Sequence, residues 1–138
     1  MEIQELSNRI KAILKDIKDA RVSDKSYIDN IKMKKCDYYQ REIVTESSDN
    51  WELFKSGEAW GGNDVHYCFK ANIEIPEYFQ GKHVICKVST GATDIWNYDN
   101  PQFLAYIDNE LICGLDVNHT EFDLSKNAVV GQNYELAL

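Results

Sequence analysis

The sequence predicts a mostly β chain: an antiparallel sandwich of the jelly-roll kind with one α-helix appended at its N-terminus. Three observations lead there. Short apolar or alternating runs recur along residues 36–138, each bounded by clusters of Gly, Pro, Asn, Asp or Ser. No strand-like run alternates with a helical one, as a parallel βαβ architecture would require. The one stretch with helical apolar spacing is confined to the first twenty residues. The expected organisation is a helix and linker over residues 1–35 and a single β-sandwich over 36–138, with no internal repeat and no low-complexity tract.

In the helix, Ile3, Leu6, Ile10, Ile13, Leu14 and Ile17 form one apolar stripe. Glu2 and Glu5 lie in the first turn and Lys15 and Lys18 in the last, which complements the helix dipole. Such a stripe has to be covered, either by this chain's own sheet or by a further part of a longer protein. Its polar face mixes acids and bases, unlike that of a membrane-surface helix. Ala20 to Lys35 is polar and irregular and reads as a linker, with one short turn around Tyr27 to Ile31. Cys36 to Glu46, CDYYQREIVTE, is the first expected strand, followed by a turn cluster up to Asn50 and a short apolar island from Trp51 to Phe54.

Val65 to Ile75 alternates most cleanly. Val65, Tyr67, Phe69, Ala71, Ile73 and Ile75 share one face; His66, Cys68, Lys70, Asn72 and Glu74 share the other. This pattern predicts a sheet with one buried face. Pro76 ends the run because it cannot donate to the ladder. Lys82 to Thr90 is the next strand, and Gly91 opens a long loop to Pro101. Gln102 to Ile107 is apolar on both faces, the pattern of a central strand covered on both sides. Asp108-Asn109-Glu110 is the hairpin turn, since Asp and Asn tolerate the left-handed backbone that tight turns need. Leu111 to Leu115 returns, with Gly114 as the place to bulge. In VNHTEFDL, Thr120, Phe122 and Leu124 face one way, and Glu121 and Asp123 the other. Asn133 to Leu138 is a last strand that stops without a turn, so the sandwich is expected to continue beyond it.

The 138 residues suit one domain with one core. A net charge of −8 leaves no basic footprint for nucleic acid and disfavours an anionic membrane surface. No apolar run is long enough to span a bilayer. The N-terminal MEIQELSNRI carries acids where a signal peptide carries bases, so the expected compartment is the cytoplasm. Cys36, Cys68, Cys86 and Cys113 include no C-x-x-C pair and are expected to be reduced and mostly buried.

The stretch NPQFLAYIDNELICGLDVNHTEF, Asn100 to Phe122, resembles the signature of the N-terminal β-sandwich domain of the α-mannosidases of glycoside hydrolase family 38, in the bacterial and fungal branch without a secretory signal. AWGGNDVHYCFKANIEIP (59–76) and STGATDIWNYDNPQ (89–102) fall in the matching order. The resemblance spans Trp51 to Leu138 and is loose before that. It departs at Asn109, where the family's turn usually has Gly, and the chain stops before any catalytic domain. The resemblance implies a jelly-roll, galactose-binding-like sandwich acting as a non-catalytic accessory domain. It further implies a parent enzyme that hydrolyses terminal α-D-mannosyl residues with retention, with its zinc ion and catalytic carboxylates on the missing catalytic domain. The partner would be that domain, with mannosides as a second ligand class and a parent that could be a homo-oligomer. No cofactor is expected in this chain.

The residues themselves support no catalytic set. Asp64, Asp94, Asp99, Asp116 and Glu121 are free acids in no motif that fixes the separation a glycosidase needs. Asp116, His119 and Glu121 look like a metal cluster but lack a fourth ligand and differ in direction on extended chain; the favoured reading is that Asn118 and His119 brace a loop. Trp60, Trp96 and Tyr98, in or beside loops with Asp64 and Asn100, are the residue types that grip a sugar by stacking and amide hydrogen bonds. Core or interdomain packing is the favoured role, because large aromatics are mostly buried; the resemblance implies that the loops Trp60–Asp64 and Trp96–Asn100 meet the catalytic domain, with Asn118 and His119 as further candidate interdomain or sugar contacts. A free-standing carbohydrate-binding module that uses these loop aromatics is the alternative function.

Overall fold

The computed structural model describes residues 3–90 and 101–138. It is mostly sheet, with a single α-helix, α1 (Ile3–Arg21), at its N-terminus. Eight strands follow: β1 (Ile31–Cys36), β2 (Glu52–Phe54), β3 (His66–Glu74), β4 (Val84–Lys87), β5 (Phe103–Ile107), β6 (Glu110–Leu115), β7 (Glu121–Ser125) and β8 (Asn133–Ala137). The larger sheet has the order β2-β1-β3-β8-β5-β6 and the smaller one pairs β4 with β7; every pairing is antiparallel.

The two layers meet over a core of Cys86, Ala105, Leu115, Phe122 and Leu136, with Ile73, Phe103, Ile107 and Leu138 packed around it. Ile75, Val84 and Ala128 close one end. Ile75 is 1% exposed, and a side chain buried so fully contributes about 1.5–3 kcal/mol. Phe122 is buried and Leu124 half-buried, while Glu121 and Asp123 face solvent, as the alternation in VNHTEFDL predicts.

The strand from 65 to 75 is present with the expected inner face; on its second face His66, Asn72 and Glu74 are exposed as expected, but the middle is covered. Cys68 and Lys70 are each 3% exposed. The cover comes from the segment expected to be a strand: Arg41–Thr45 is a 3₁₀ helix and places Ile43 and Val44 against Cys68 and Ala137. Consecutive apolar residues cannot both face one side of a strand, whereas one turn of helix presents neighbouring side chains to the same surface. The expected linker also changes role. Residues 31–36 pair with both β2 and β3, so the large sheet begins at Ile31 rather than Cys36. Two of the lysines that made IKMKK look like linker hold the outer face: the Lys34 ammonium lies 2.6 Å from Glu46 Oε2, and Lys32 donates to the Asp49 carbonyl at 3.3 Å. Their alkyl stems cover sheet surface while their charged ends reach polar partners.

The hairpin forms where the sequence places it. Asp108 and Asn109 take φ values of 50° and 68°, the left-handed pair of a two-residue turn. The turn is tied sideways to β8, with the Glu135 N–H donating to Asp108 Oδ1 at 2.8 Å and the Asp108 N–H to the Glu135 carbonyl at 2.9 Å. The bulge falls opposite Ala105 and Tyr106, at Ile112, and not at Gly114, which pairs in register with Leu104. Nor is β5 covered on both sides throughout. Ala105 is fully buried, yet Leu104 is 52% exposed.

All four cysteines are free thiols; Cys68 and Cys86 are buried, and Cys36 and Cys113 half-buried. Burial, which penalises the thiolate, pushes Cys68 up to about 12 and Cys86 to about 11. Native protein at pH 8 is therefore expected to release Cys68 and Cys86 to an aromatic disulfide reagent only at the rate of unfolding, with all four thiols reacting at once in denaturant; prompt labelling of either in the native state overturns this. At the turn, Asn109→Val is expected to cost about 1–2 kcal/mol in chemical denaturation, from forcing a β-branched residue to positive φ. Asn109→Gly should stay within about 1 kcal/mol of the parent.

Candidate functional site

The outer face of the large sheet holds the most organised polar group among the described residues. Lys70 points out of β3 into a place closed by the 3₁₀ turn and the Trp51 ring. Its ammonium donates to the Glu46 carbonyl at 2.6 Å and to Glu135 Oε1 at 3.2 Å. It also lies over the Trp51 ring, 5.5 Å from the centroid, with the Lys34 ammonium at 5.8 Å. Cation–π attraction and a charge-assisted bond to a carboxylate make burial of the charge tolerable. Beside this cluster is a shallow depression of about 440 Å³ that includes Lys34, Glu46, Ser47, Asn50 and Trp51. A ring flanked by amide, hydroxyl and carboxylate groups is the usual furniture of a sugar site. Here, however, both ammonium groups are drawn to that ring. The arrangement fixes the segment from 46 to 51 on the sheet; it contains no nucleophile with an adjacent base.

Among the described residues, those singled out in the sequence do not converge. Trp60 sits in an aromatic cluster, with ring centroids 4.9 Å from Phe69, 5.6 Å from Phe103 and 6.1 Å from Tyr67. That edge-on and tilted geometry is the geometry of packing. Asp64 is exposed at φ 55°, a turn residue leading into β3. Trp96, Tyr98 and Asn100, with Asp94 and Asp99, lie outside the described residues.

At the β6–β7 connection a loop brace is present, but its agent is Asp116. One carboxylate oxygen, Oδ1, accepts the backbone N–H groups of Asn118 and His119, both at 2.8 Å, and lies 3.1 Å from His119 Nδ1. These backbone bonds hold the Asp116 carboxyl below the usual aspartate range. Glu121 faces elsewhere and pairs with Arg21 at 3.5 Å. Among the described residues no group of three His, Cys, Asp or Glu side chains could hold a metal ion, and no helix is long and apolar enough to cross a membrane.

The sequence placed Lys70 on a solvated face and left Glu46 and Trp51 in a turn and an island. The available signal was the adjacent apolar pair Ile43–Val44, which a strand cannot bury on one side. Lys70→Ala is expected to destabilise the fold by about 2–4 kcal/mol in urea unfolding, since it opens a cavity and strands the Glu46 carbonyl. Lys70→Met, which keeps the stem, should recover at least half of that; equal losses would show that the ammonium contacts outweigh the packing. No family model matches this chain, and neither a curated protein nor a solved structure was found to match it.

Proposed function

We propose that this chain is a non-catalytic accessory β-sandwich whose work is to pack against another polypeptide domain. The observation that carries the reading is the uncovered part of the large sheet's outer face. Leu104 and Leu111 stand beside Tyr106 there, 52% and 57% exposed, and Ile112 at the adjoining bulge is 45% exposed. The 3₁₀ turn that covers β3 and β8 leaves these side chains bare. Contiguous apolar side chains on a rigid hairpin are the usual mark of a protein-binding surface.

In its specific form, the partner is the catalytic domain of an α-mannosidase of glycoside hydrolase family 38, and the zinc and the two catalytic carboxylates belong to that domain. The support is the three ordered sequence stretches, which include the hairpin bearing the patch. The four free thiols suit a reducing compartment, so the cytoplasm is the proposed setting. Packing of Trp60 among Phe69, Tyr67 and Phe103 favours this reading over a free-standing sugar-binding module.

The test combines activity, binding and parentage. The purified chain is expected to leave an aryl α-mannoside unhydrolysed and to show no saturable change in tryptophan fluorescence with mannose oligosaccharides. The coding frame beyond Leu138 is expected to continue into a domain with a His-x-Asp zinc motif. When that domain is supplied separately, Leu104→Asp/Leu111→Asp should reduce its association with this chain at least about tenfold, the effect of losing two central apolar contacts. Turnover by the chain alone, saturable sugar binding, or association indifferent to the double substitution would overturn the proposal.

A further inference from the structure

The helix α1 presents a second uncovered surface, and its pattern specifies what fits it. None of its residues is buried; Ile3, Leu6, Ile10, Ile13, Leu14 and Ile17 are 49–89% exposed. Apolar residues follow one another at steps of 3, 4, 3, 4 and 3 through Ile3, Leu6, Ile10, Ile13, Ile17 and Ala20. This is the alternation of positions a and d of a heptad, the seam that packs against another helix by knobs into holes. A helix that lies on a sheet uses a broader stripe. Here only Leu14 widens the seam, and Gln4, Glu5, Asn8, Lys11, Lys15, Lys18 and Asp19 form the remaining face.

The charges beside the seam choose the partner and its direction. Arg9 and Asp16 both occupy position g, one heptad apart. In an antiparallel pair, g positions meet g positions. When Ile10 of one helix is set against Ile13 of the other, the same register sets Ile3 against Ala20 and Leu6 against Ile17, so no apolar layer is left over. Arg9 then faces the other helix's Asp16 twice, once at each side of the central layers. A parallel pair would place Arg9 beside Leu14 and would ask Arg21 to serve Asp16 while it already pairs with Glu121 at 3.5 Å. The antiparallel arrangement also sends the two sandwiches to opposite ends of a helix about 28 Å long. The chain following α1 is fastened to the sandwich by Lys82 to Asp24 and by the Tyr78 hydroxyl to the Lys25 carbonyl at 3.5 Å, so the helix is offered from a fixed base.

We propose that two copies of this chain associate through α1 as an antiparallel helical pair centred on Ile10 and Ile13, with reciprocal Arg9–Asp16 ion pairs. This is independent of the accessory-domain reading and uses a different surface. Fewer than three heptads make the association micromolar or weaker, so it is to be sought at high concentration.

The experiment is sedimentation equilibrium of the whole chain from about 5 to 200 µM, the range that brackets such an affinity. A monomer–dimer equilibrium is expected. Ile10→Asp/Ile13→Asp should abolish it while the slow thiols Cys68 and Cys86 remain protected, which shows the sandwich intact. Arg9→Glu should weaken it about tenfold by turning two attractions into repulsions, and Arg9→Glu/Asp16→Arg should restore it. A monomer throughout, a dimer indifferent to Ile10→Asp/Ile13→Asp, or a charge swap weaker than Arg9→Glu alone would each overturn the proposal; the last is the behaviour of a parallel pair.

Discussion

Burial of the middle of β3, Cys68 to Ala71, on both faces is the constraint the rest of this structure satisfies. Phe69 and Ala71 look into the core between the layers, and Cys68 and Lys70 into the cover on the outside; all four are under 10% exposed. A strand enclosed in this way must sit inside the sheet, and β3 does, between β1 and β8. It must also find a partner for every polar group it carries inward. Lys70 is the hard case, because a bare ammonium in such a place would cost several kcal/mol. The Glu46 carbonyl, Glu135 and the Trp51 ring together meet that need. Glu135 further links the cluster to the Asp108 turn through its own backbone. One charged side chain thus ties β3, β8, the 3₁₀ cover and the tip of the hairpin into one unit.

Much of this was legible from period-two alternation. The inner face of β3, the hairpin with its Asp-Asn turn and the inward Phe122 and Leu124 follow from local rules, because one face of each segment meets a core and the other meets water. The rules fail where a second layer covers the far face. Cys68 and Lys70 read as solvated since nothing in their own segment announces the Ile43–Val44 turn above them, while His66 and Asn72 on the same face are exposed as read. IKMKK read as linker because its three lysines outnumber Ile31 and Met33, although lysine stems serve well on an outer sheet surface. CDYYQREIVTE read as strand on composition alone, against the adjacent pair Ile43–Val44 that a strand cannot bury on one side. At the loop after β6 the ingredients were correctly read as a brace, and its centre was misplaced by two residues. Backbone N–H groups, invisible to residue chemistry, supply most of the bonds to Asp116.

The two layers are unequal, and the inequality leads to function. Six strands expose far more outer surface than a five-residue 3₁₀ turn can cover, and the two-stranded layer lies on the other side. The cover extends over β3 and β8 and ends at Tyr106, short of Leu104, Leu111 and Ile112. A monomer that had to stand alone would be expected to place polar residues at those positions, as β3 does with the exposed Asn72 and Glu74. Here the sequence spends leucine and isoleucine on an accessible hairpin, and isoleucine again along α1. Two apolar surfaces on separate elements, one a hairpin face and one a narrow helical seam, would suit two different kinds of neighbour. A hairpin face suits the broad side of a folded domain, whereas a seam with a heptad period suits only another helix. On the two proposals, a foreign domain would lie across Leu104 and Leu111 and a second copy along Ile10 and Ile13, two sets of exposed residues on separate elements.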